Sequence, residues 1–291
     1  MMGLDQFANS LHQIVSNPQV PTVRGVARHL GWQVRKAFDL FPFEQRISSS
    51  RIVAGHRACS VSALIYSQGL YDYNNMRFIQ WLLRDGGVFF DIGANIGSYA
   101  LVASEQPRAN VFAFEPHPET FRYLSENLAL NRRENVRAVN LALGTDNGTA
   151  QLTDQPGSSV NHVVAIGGPG SIGVACRRVD WCCQKWGVQP RIVKLDVEGH
   201  EYAVLQGFGG YLRHVQALLI EMNGLSEQRG VDREDIHVLL ASAGLIGPWW
   251  CDFDRHLLRQ SVRGMREDAL YLSAQFKRNI LAAGWSVEGR I

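Results

Sequence analysis

The chain has 291 residues, 46% of them hydrophobic and 19% charged, with a formal net charge of +2 at pH 7. That balance describes an ordinary globular protein able to bury a sizeable core, and it is too nearly neutral to point to nucleic acid or an acidic polymer as partner. The five cysteines, Cys59, Cys176, Cys182, Cys183 and Cys251, include no Cys-x-x-Cys spacing, which argues against a zinc site or a disulfide framework and for reduced, mostly buried thiols in a cytoplasmic protein.

No stretch approaches the roughly 18 to 20 uninterrupted apolar residues of a membrane span. The early Asp5, with no apolar run behind it, argues against a secretory signal. Residues 4–41 carry apolar side chains at helical spacing in two segments parted by Pro18 and Pro21. In the second, Val23, Val26, Ala27, Leu30, Val34, Ala37 and Phe38 approximate one face, while Arg24, Arg28, Arg35 and Lys36 lie elsewhere. A basic amphipathic helix can make a peripheral membrane contact; packing on its own domain or in a homodimer is the favoured expectation. Ser48, Ser49, Ser50 and Gly55 suggest hairpin breaks, and residues 58–66 alternate loosely like a strand. This extension is expected to span 1–65 and the main domain 66–291.

Residues 76–83 read as a helix leading into the first core strand. From Phe89 strand and helix patterns alternate, as in an α/β sheet. Strand 88–92 leads to helix 98–104, and strand 111–115 to helix 118–131, which Pro118 and Glu119 open favourably. Strand 136–142 feeds a turn at 144–148, and residues 150–175, rich in Gly, Ser and Pro, read as an irregular strand-and-loop insert near the site. Helix 179–186, strand 191–196, helix 201–213, strand 217–222 and helix 232–243 follow, the last ended by Gly244. Trp249-Trp250 and 269–272 remain for a final antiparallel pair.

The stretch that organises the chain is Asp91-Ile-Gly93-Ala-Asn95-Ile-Gly97, a buried strand end that breaks into glycines and resumes as a helix. The glycines let backbone turn sharply and approach a ligand, and a helix N-terminus offers N–H groups to it. Val111 to Phe114 is a second apolar strand ending in Glu115, 24 positions after Asp91, close to the roughly 20-residue offset at which an acid meets ribose hydroxyls. The glycine spacing departs from the dinucleotide fingerprint, which favours S-adenosylmethionine over NAD.

Asp91-Ile-Gly-Ala-Asn-Ile-Gly97, Phe114-Glu-Pro116, Asn140-Leu-Ala-Leu-Gly144 and Lys194-Leu-Asp-Val-Glu-Gly-His-Glu201 together resemble the FkbM family of S-adenosylmethionine-dependent methyltransferases, over about residues 65 to 275. The resemblance implies a Rossmann-like class I methyltransferase: a mostly parallel seven-stranded sheet flanked by helices, behind an N-terminal helical and hairpin extension. It also implies O-methyl transfer, and an aromatic-acidic pair, Tyr71 and Asp72, closing over the cofactor.

At the strand ends, the loop of Asp91, Gly93, Asn95 and Gly97 would hold the methionine part of the cofactor. Glu115 would take the ribose, with Pro116 and His117 shaping its wall, and Ala142 and Leu143 would border the adenine. Asp196-Val-Glu198-Gly199-His200-Glu201 is the stretch expected to carry chemistry, because two carboxylates and an imidazole at one turn can converge on a substrate hydroxyl. His200 has the pKa best suited to a general base; Asp196 or Glu198 could orient the substrate or act as base instead. Glu201 is expected to cap the following helix or face solvent. Asp196, Glu198 and Glu221 also offer hard oxygen ligands for Mg²⁺, which nothing in the sequence requires; Asn223 cannot act as a base. Trp249, Trp250 and His256 are candidates for an acceptor pocket, and core packing explains the tryptophans equally well. The resulting expectation is an O-methyltransferase acting on a sugar, glycan or secondary-metabolite hydroxyl. The rivals are an NAD-dependent oxidoreductase and a non-catalytic scaffold that binds an adenosine cofactor.

Overall fold

The computed structural model describes residues 20–155, 161–164, 167–222, 224–260 and 268–289. Helix α1 (Thr22–Ala37) leads into a hairpin of β1 (Phe43–Ile47) and β2 (Ser50–Ala54), then α2 (Ser60–Gln68) and α3 (Tyr73–Leu82). The alternating part follows as β3 (Gly87–Ile92), α4 (Ser98–Ser104), β4 (Ala109–Phe114), α5 (Pro118–Leu130) and β5 (Val136–Val139). After an insert come α6 (Val179–Trp186), β10 (Ile192–Leu195), α7 (Glu201–Gly207), β11 (Ala217–Glu221), α8 (Leu225–Gln228) and α9 (Arg233–Ser242). The chain closes with β12 (Leu245–Asp252), β13 (Leu257–Gln260), β14 (Asp268–Ser273), α10 (Ala274–Ala282) and β15 (Ser286–Glu288).

The main sheet has nine strands in the order β15-β13-β12-β14-β11-β10-β3-β4-β5. Strands β5, β4, β3, β10 and β11 run parallel, and β14 is wedged antiparallel between β11 and β12. The seven expected strands are therefore present, and β13 and β15 widen the sheet beyond them. The order reverses between β3 and β10, which opens a crevice at the carboxyl ends of these two strands, where α/β sheets take their ligands.

The strands are apolar on both faces because both faces are covered. Phe89 packs with Met76, Phe78, Leu101 and Phe276 on one side; its neighbour Phe90 packs with Phe112, Phe114, Val193 and Ile220 on the other. Ile47, Ile52, Cys59 and Ile65 belong to the first of these clusters. Residue 65 lies within α2, and the hairpin and α2 share this apolar cluster with Phe89 of the main sheet. All five cysteines are buried free thiols. Among the described residues no helix is long and apolar enough to cross a membrane.

Three segments differ from the sequence reading. Residues 58–66, expected as a strand, hold most of α2: Val61, Leu64, Ile65 and Gln68 recur at helical spacing, and the Cys59 sulfur accepts from the Ser62 N–H at the helix start. The strand expected over 136–142 breaks at Asn140, whose side-chain amide donates to the Glu115 and Pro116 carbonyls at 2.8 and 2.9 Å. Beyond it, β6 (Ala142–Leu143) joins β7 (Gly148–Thr153), β8 (Val163–Val164) and β9 (Ser171–Arg177) in a four-stranded sheet of order β6-β9-β7-β8, so the insert is more regular than its composition implied. The helix expected over 201–213 divides at Phe208, after which Gly209, with φ +51°, opens a 3₁₀ turn over Gly209–His214. The first N-terminal helical segment and Asn223 lie outside the described residues.

Candidate active site

A cavity of about 230 Å³ opens at the carboxyl ends of β3, β4, β10 and β11. A water molecule's share of liquid is roughly 30 Å³, so the space suits an organic ligand. Its walls bring together Tyr71, Asp91, Gly93, Asn95, Glu115, Pro116, Ala142, Leu143, Asp196, Glu198 and His200. Two other expected site residues, Asp72 and Gly97, are not in the lining. Asp72 accepts hydrogen bonds from the Tyr99 hydroxyl and from Asn75 Nδ2, behind the wall. Gly97, at φ +93°, starts α4, and a Cβ there would lie 2.6 Å from Leu124 Cδ1, so its bareness serves helix packing.

Gly93 answers to a tighter constraint. Its φ is +81°, and a Cβ would fall 1.8 Å from the Asp196 carbonyl oxygen. Only glycine lets the loop after β3 press against the loop after β10. Between the glycines Asn95 also adopts positive φ, +52°, and its Oδ1 accepts from the Ile96 N–H at 2.8 Å. Such a conformation costs about 1–3 kcal/mol, and Glu115 holds it. Glu115 Oε2 accepts from the Asn95 N–H and Oε1 from the His117 N–H, each at 2.9 Å. Burial pushes the Glu115 carboxyl up to about 7, and those two amides work against the rise. The His117 ring reaches Asp154 beyond β7 at 3.1 Å, tying this corner to the insert.

Asp91 is the anomaly of the cavity. It is 1% exposed, and neither carboxylate oxygen makes a well-formed hydrogen bond. Burial raises it to about 7; Lys194 opposes the rise and Asp196 adds to it. A carboxylate left this way is rare in a folded interior, and a cationic or hydrogen-bonding ligand would satisfy it.

Lys194 is the charge that makes this acidic corner tenable. It is 5% exposed, donates to Asp196 Oδ2 at 2.6 Å, and stands 4.9 Å from the centre of the Tyr99 ring. Burial would raise Asp196, but the ammonium beside it prevails and holds the carboxyl below its ordinary range. Glu221 goes the other way: burial and the Asp196 charge push it up to about 10, so it carries a proton at neutral pH. Asp196, Glu198 and Glu221 each present an oxygen within 4.8 Å of the others.

The turn after β10 is shaped by Glu201. Glu198 and Gly199 have φ of +53° and +91°. Glu201, 2% exposed, accepts from the Val197 and Gly199 N–H groups at 3.2 and 3.0 Å and from Ser226 Oγ at 2.6 Å. It neither faces solvent nor caps α7 with its side chain; it bends the preceding backbone. Glu198 and His200 are thereby turned to the cavity. Burial and the nearby Arg229 push His200 below its ordinary value, which leaves the imidazole neutral at pH 7. Its ring nitrogens have no hydrogen-bond partner among the described residues, and Nε2 faces Gly144 across the start of the insert.

Several lining residues escaped the sequence reading. Ser60, Val61 and Leu64 come from α2, whose misreading as a strand hid them; Leu152, Asn161, His162 and Val163 come from the insert. Lys194 had a visible signal, since a lysine inside an apolar strand needs a carboxylate partner. Of the residues read as acceptor candidates, Trp249 is buried in the core, Trp250 lies beside Arg259, and His256 packs on Trp285; none lines the cavity.

Residues 91–246 match the model of the methyltransferase FkbM domain, more than half of the chain. The chain is 34% identical over 164 residues to the hexuronic acid methyltransferase AglP of Haloferax volcanii, a match covering 56% of this chain and 64% of that one. It is 39% identical over 79 residues to the 31-O-demethyl-FK506 methyltransferase FkbM of Streptomyces tacrolimicus, covering 27% and 30%. The chain thus spans less than two thirds of the length of these relatives. With the parallel sheet, the reversal at β3 and β10 and the matched segment all centred on this cavity, the chain belongs to the FkbM methyltransferase family.

Proposed function

We propose that the cavity binds S-adenosylmethionine and that the protein O-methylates a hydroxyl of a sugar, glycan or secondary metabolite. The observation that carries this reading is the pair of buried carboxylates on neighbouring strand ends, Asp91 with no well-formed hydrogen bond and Glu115 with spare lone pairs beside a glycine loop. The names of the two relatives, one acting on a hexuronic acid and one on a demethylated secondary metabolite, support the acceptor class.

Asp91 is suited to an ammonium group and Glu115 to a pair of ribose hydroxyls, while Ala142 and Leu143 supply apolar surface for a flat base. Ser60 and Val61 bring the positive end of α2 to the opposite wall, where a carboxylate is favoured. The bound cofactor supplies an activated methyl group on a sulfonium. The protein's part is to align an acceptor hydroxyl in line with it and to take the hydroxyl proton. Asp196 is committed to Lys194 and Glu221 is protonated, so neither is a good base. His200, neutral and lining the cavity, is the base in this reading; Glu198 orients the acceptor. Asp196, Glu198 and Glu221 form an oxygen donor set that would accept Mg²⁺, but the Lys194 ammonium already places positive charge there and the reading does not need the ion.

Calorimetric titration with S-adenosylhomocysteine tests the site. The wild type should bind, and Glu115→Ala should bind about 10- to 100-fold more weakly, the loss expected for charge-assisted hydrogen bonds of about 1.5–3 kcal/mol. Folded wild type that ignores S-adenosylhomocysteine and takes NAD instead would overturn the reading. The same titration has a pH signature. Asp91 and Glu115, both raised to about 7, lose charge as pH falls through that value. A ligand ammonium needs Asp91 ionised, so affinity should fall from pH 8 to pH 6, by at most about tenfold per pH unit for each proton displaced. An affinity flat across that range would contradict the role given to Asp91.

A further inference from the structure

Helix α1 wears its apolar side outward. Trp32 is its buried anchor, 3% exposed and packed against Phe41, Phe43 and Tyr66 with ring centroids 5.1 to 6.1 Å away. On the opposite side Val23, Leu30, Val34 and Phe38 are 83%, 56%, 52% and 73% exposed, and Ala27 completes the row. Spacings of four, three, four and four residues put them in one stripe along the helix. Scattered exposed apolar residues are ordinary; an aligned row of them marks a contact surface.

The charges say what the surface contacts. The helix carries Arg24, Arg28, Arg35 and Lys36 and no Asp or Glu. Arg35 is stacked on Phe43, its guanidinium carbon 4.0 Å from the ring centre. Arg24 and Arg28 join Arg46 of β1 in a shallow cleft floored by Ser48 and Gln68. These three guanidinium groups have no ion-pair partner among the described residues. By helical spacing Arg24 and Arg28 flank the apolar stripe, between it and Trp32. A second copy of the chain would set these cations against their like. An anionic lipid surface satisfies both parts, with acyl chains for the stripe and headgroup phosphates for the arginines.

We propose that α1 docks the protein on an anionic phospholipid surface, with Val23, Leu30, Val34 and Phe38 entering the interface and Arg24, Arg28 and Arg46 holding phosphates. This is independent of the reading of the cavity. The test is cosedimentation of the full chain with vesicles of phosphatidylcholine alone or mixed with phosphatidylglycerol. Wild type should pellet with the mixed vesicles, stay in solution with phosphatidylcholine alone, and be released at about 0.5 M salt. The combined variant Leu30→Glu, Val34→Glu, Phe38→Glu and the combined variant Arg24→Ala, Arg28→Ala, Arg46→Ala should each bind at least roughly tenfold more weakly. The altered side chains are exposed apart from the half-buried Arg28, and an unchanged thermal melt shows that the fold survives. Wild type that ignores the mixed vesicles, or a stripe variant that binds as well as wild type, overturns the proposal. If ultracentrifugation instead shows a wild-type dimer that the stripe variant splits, with no vesicle binding, the face belongs to a second copy and the proposal likewise falls.

Discussion

Replacing His200 by asparagine should lower kcat for methyl transfer by about 10²- to 10⁴-fold, the contribution of a positioned general base. Affinity for S-adenosylhomocysteine should change little, because the residues read as holding the cofactor lie at the ends of β3 and β4, in β6 and at the start of α2, and none of them is on the turn after β10. A base must be unprotonated to act, and burial and Arg229 keep His200 so by pushing its pKa down. In the wild type the acid limb of kcat should therefore lie below pH 6.5, and it should vanish in the variant. That limb is separable from the titration of Asp91 and Glu115 near 7, which acts through cofactor binding and appears in kcat/KM. If His200→Asn turns over within about threefold of wild type, the proton goes elsewhere. Glu198→Gln would then be the next variant, since Asp196 is engaged by Lys194 at 2.6 Å.

The core of this design was legible because local chemistry and global fold agree there. Phe89 to Ile92 and Val111 to Phe114 are apolar on both faces, a pattern that only a covered parallel sheet satisfies. Asp91 and Glu115 stood out as candidates because a carboxylate ending an apolar strand is unusual, and both line the cavity. What sequence reasoning missed depends on contacts between distant segments. Residues 58–66 carry an ambiguous short apolar pattern, and the period was settled by packing against α1 and the hairpin. The strand over 136–142 was broken by one side chain, Asn140, reaching back 24 and 25 residues to Pro116 and Glu115. The need for glycine at 93 looked like a ligand's demand; the structure places the Asp196 carbonyl there instead. Lys194 was visible as a lysine in an apolar strand with Asp196 two residues on, but its other acidic neighbours, Asp91 and Asp268, lie on β3 and β14, which no local window displays.

Glu201→Ala should remove both stability and turnover, although Glu201 is not among the residues lining the cavity. The substitution leaves the Val197 and Gly199 N–H groups and the Ser226 hydroxyl without their acceptor in a buried turn. Each such group costs about 1–3 kcal/mol, so a loss of about 3–5 kcal/mol is expected, or a fall in Tm of roughly 10 °C for a chain of this size. The backbone it releases is already disfavoured: Glu198 sits at φ +53°, a conformation worth about 1–3 kcal/mol against a residue with a side chain. Freed from Glu201, residue 198 should relax toward negative φ and carry His200 with it. Kcat should then fall about 10²-fold, the scale on which a displacement of 1 Å disturbs alignment. S-adenosylhomocysteine affinity, which rests on the ends of β3 and β4, on β6 and on the start of α2, should fall far less. Glu201→Gln separates the two effects, since its one remaining carbonyl oxygen can accept from the turn or from Ser226 but not from both as the carboxylate does; it should lie between wild type and Glu201→Ala. Glu198→Gly in the Glu201→Ala background should recover part of the lost Tm, because glycine carries no penalty at positive φ. An unchanged melt and unchanged turnover in Glu201→Ala would show that the turn after β10 is held by its own sequence and not by this carboxylate. Loss of Tm with full kcat at low temperature would keep the structural role and withdraw the positioning one.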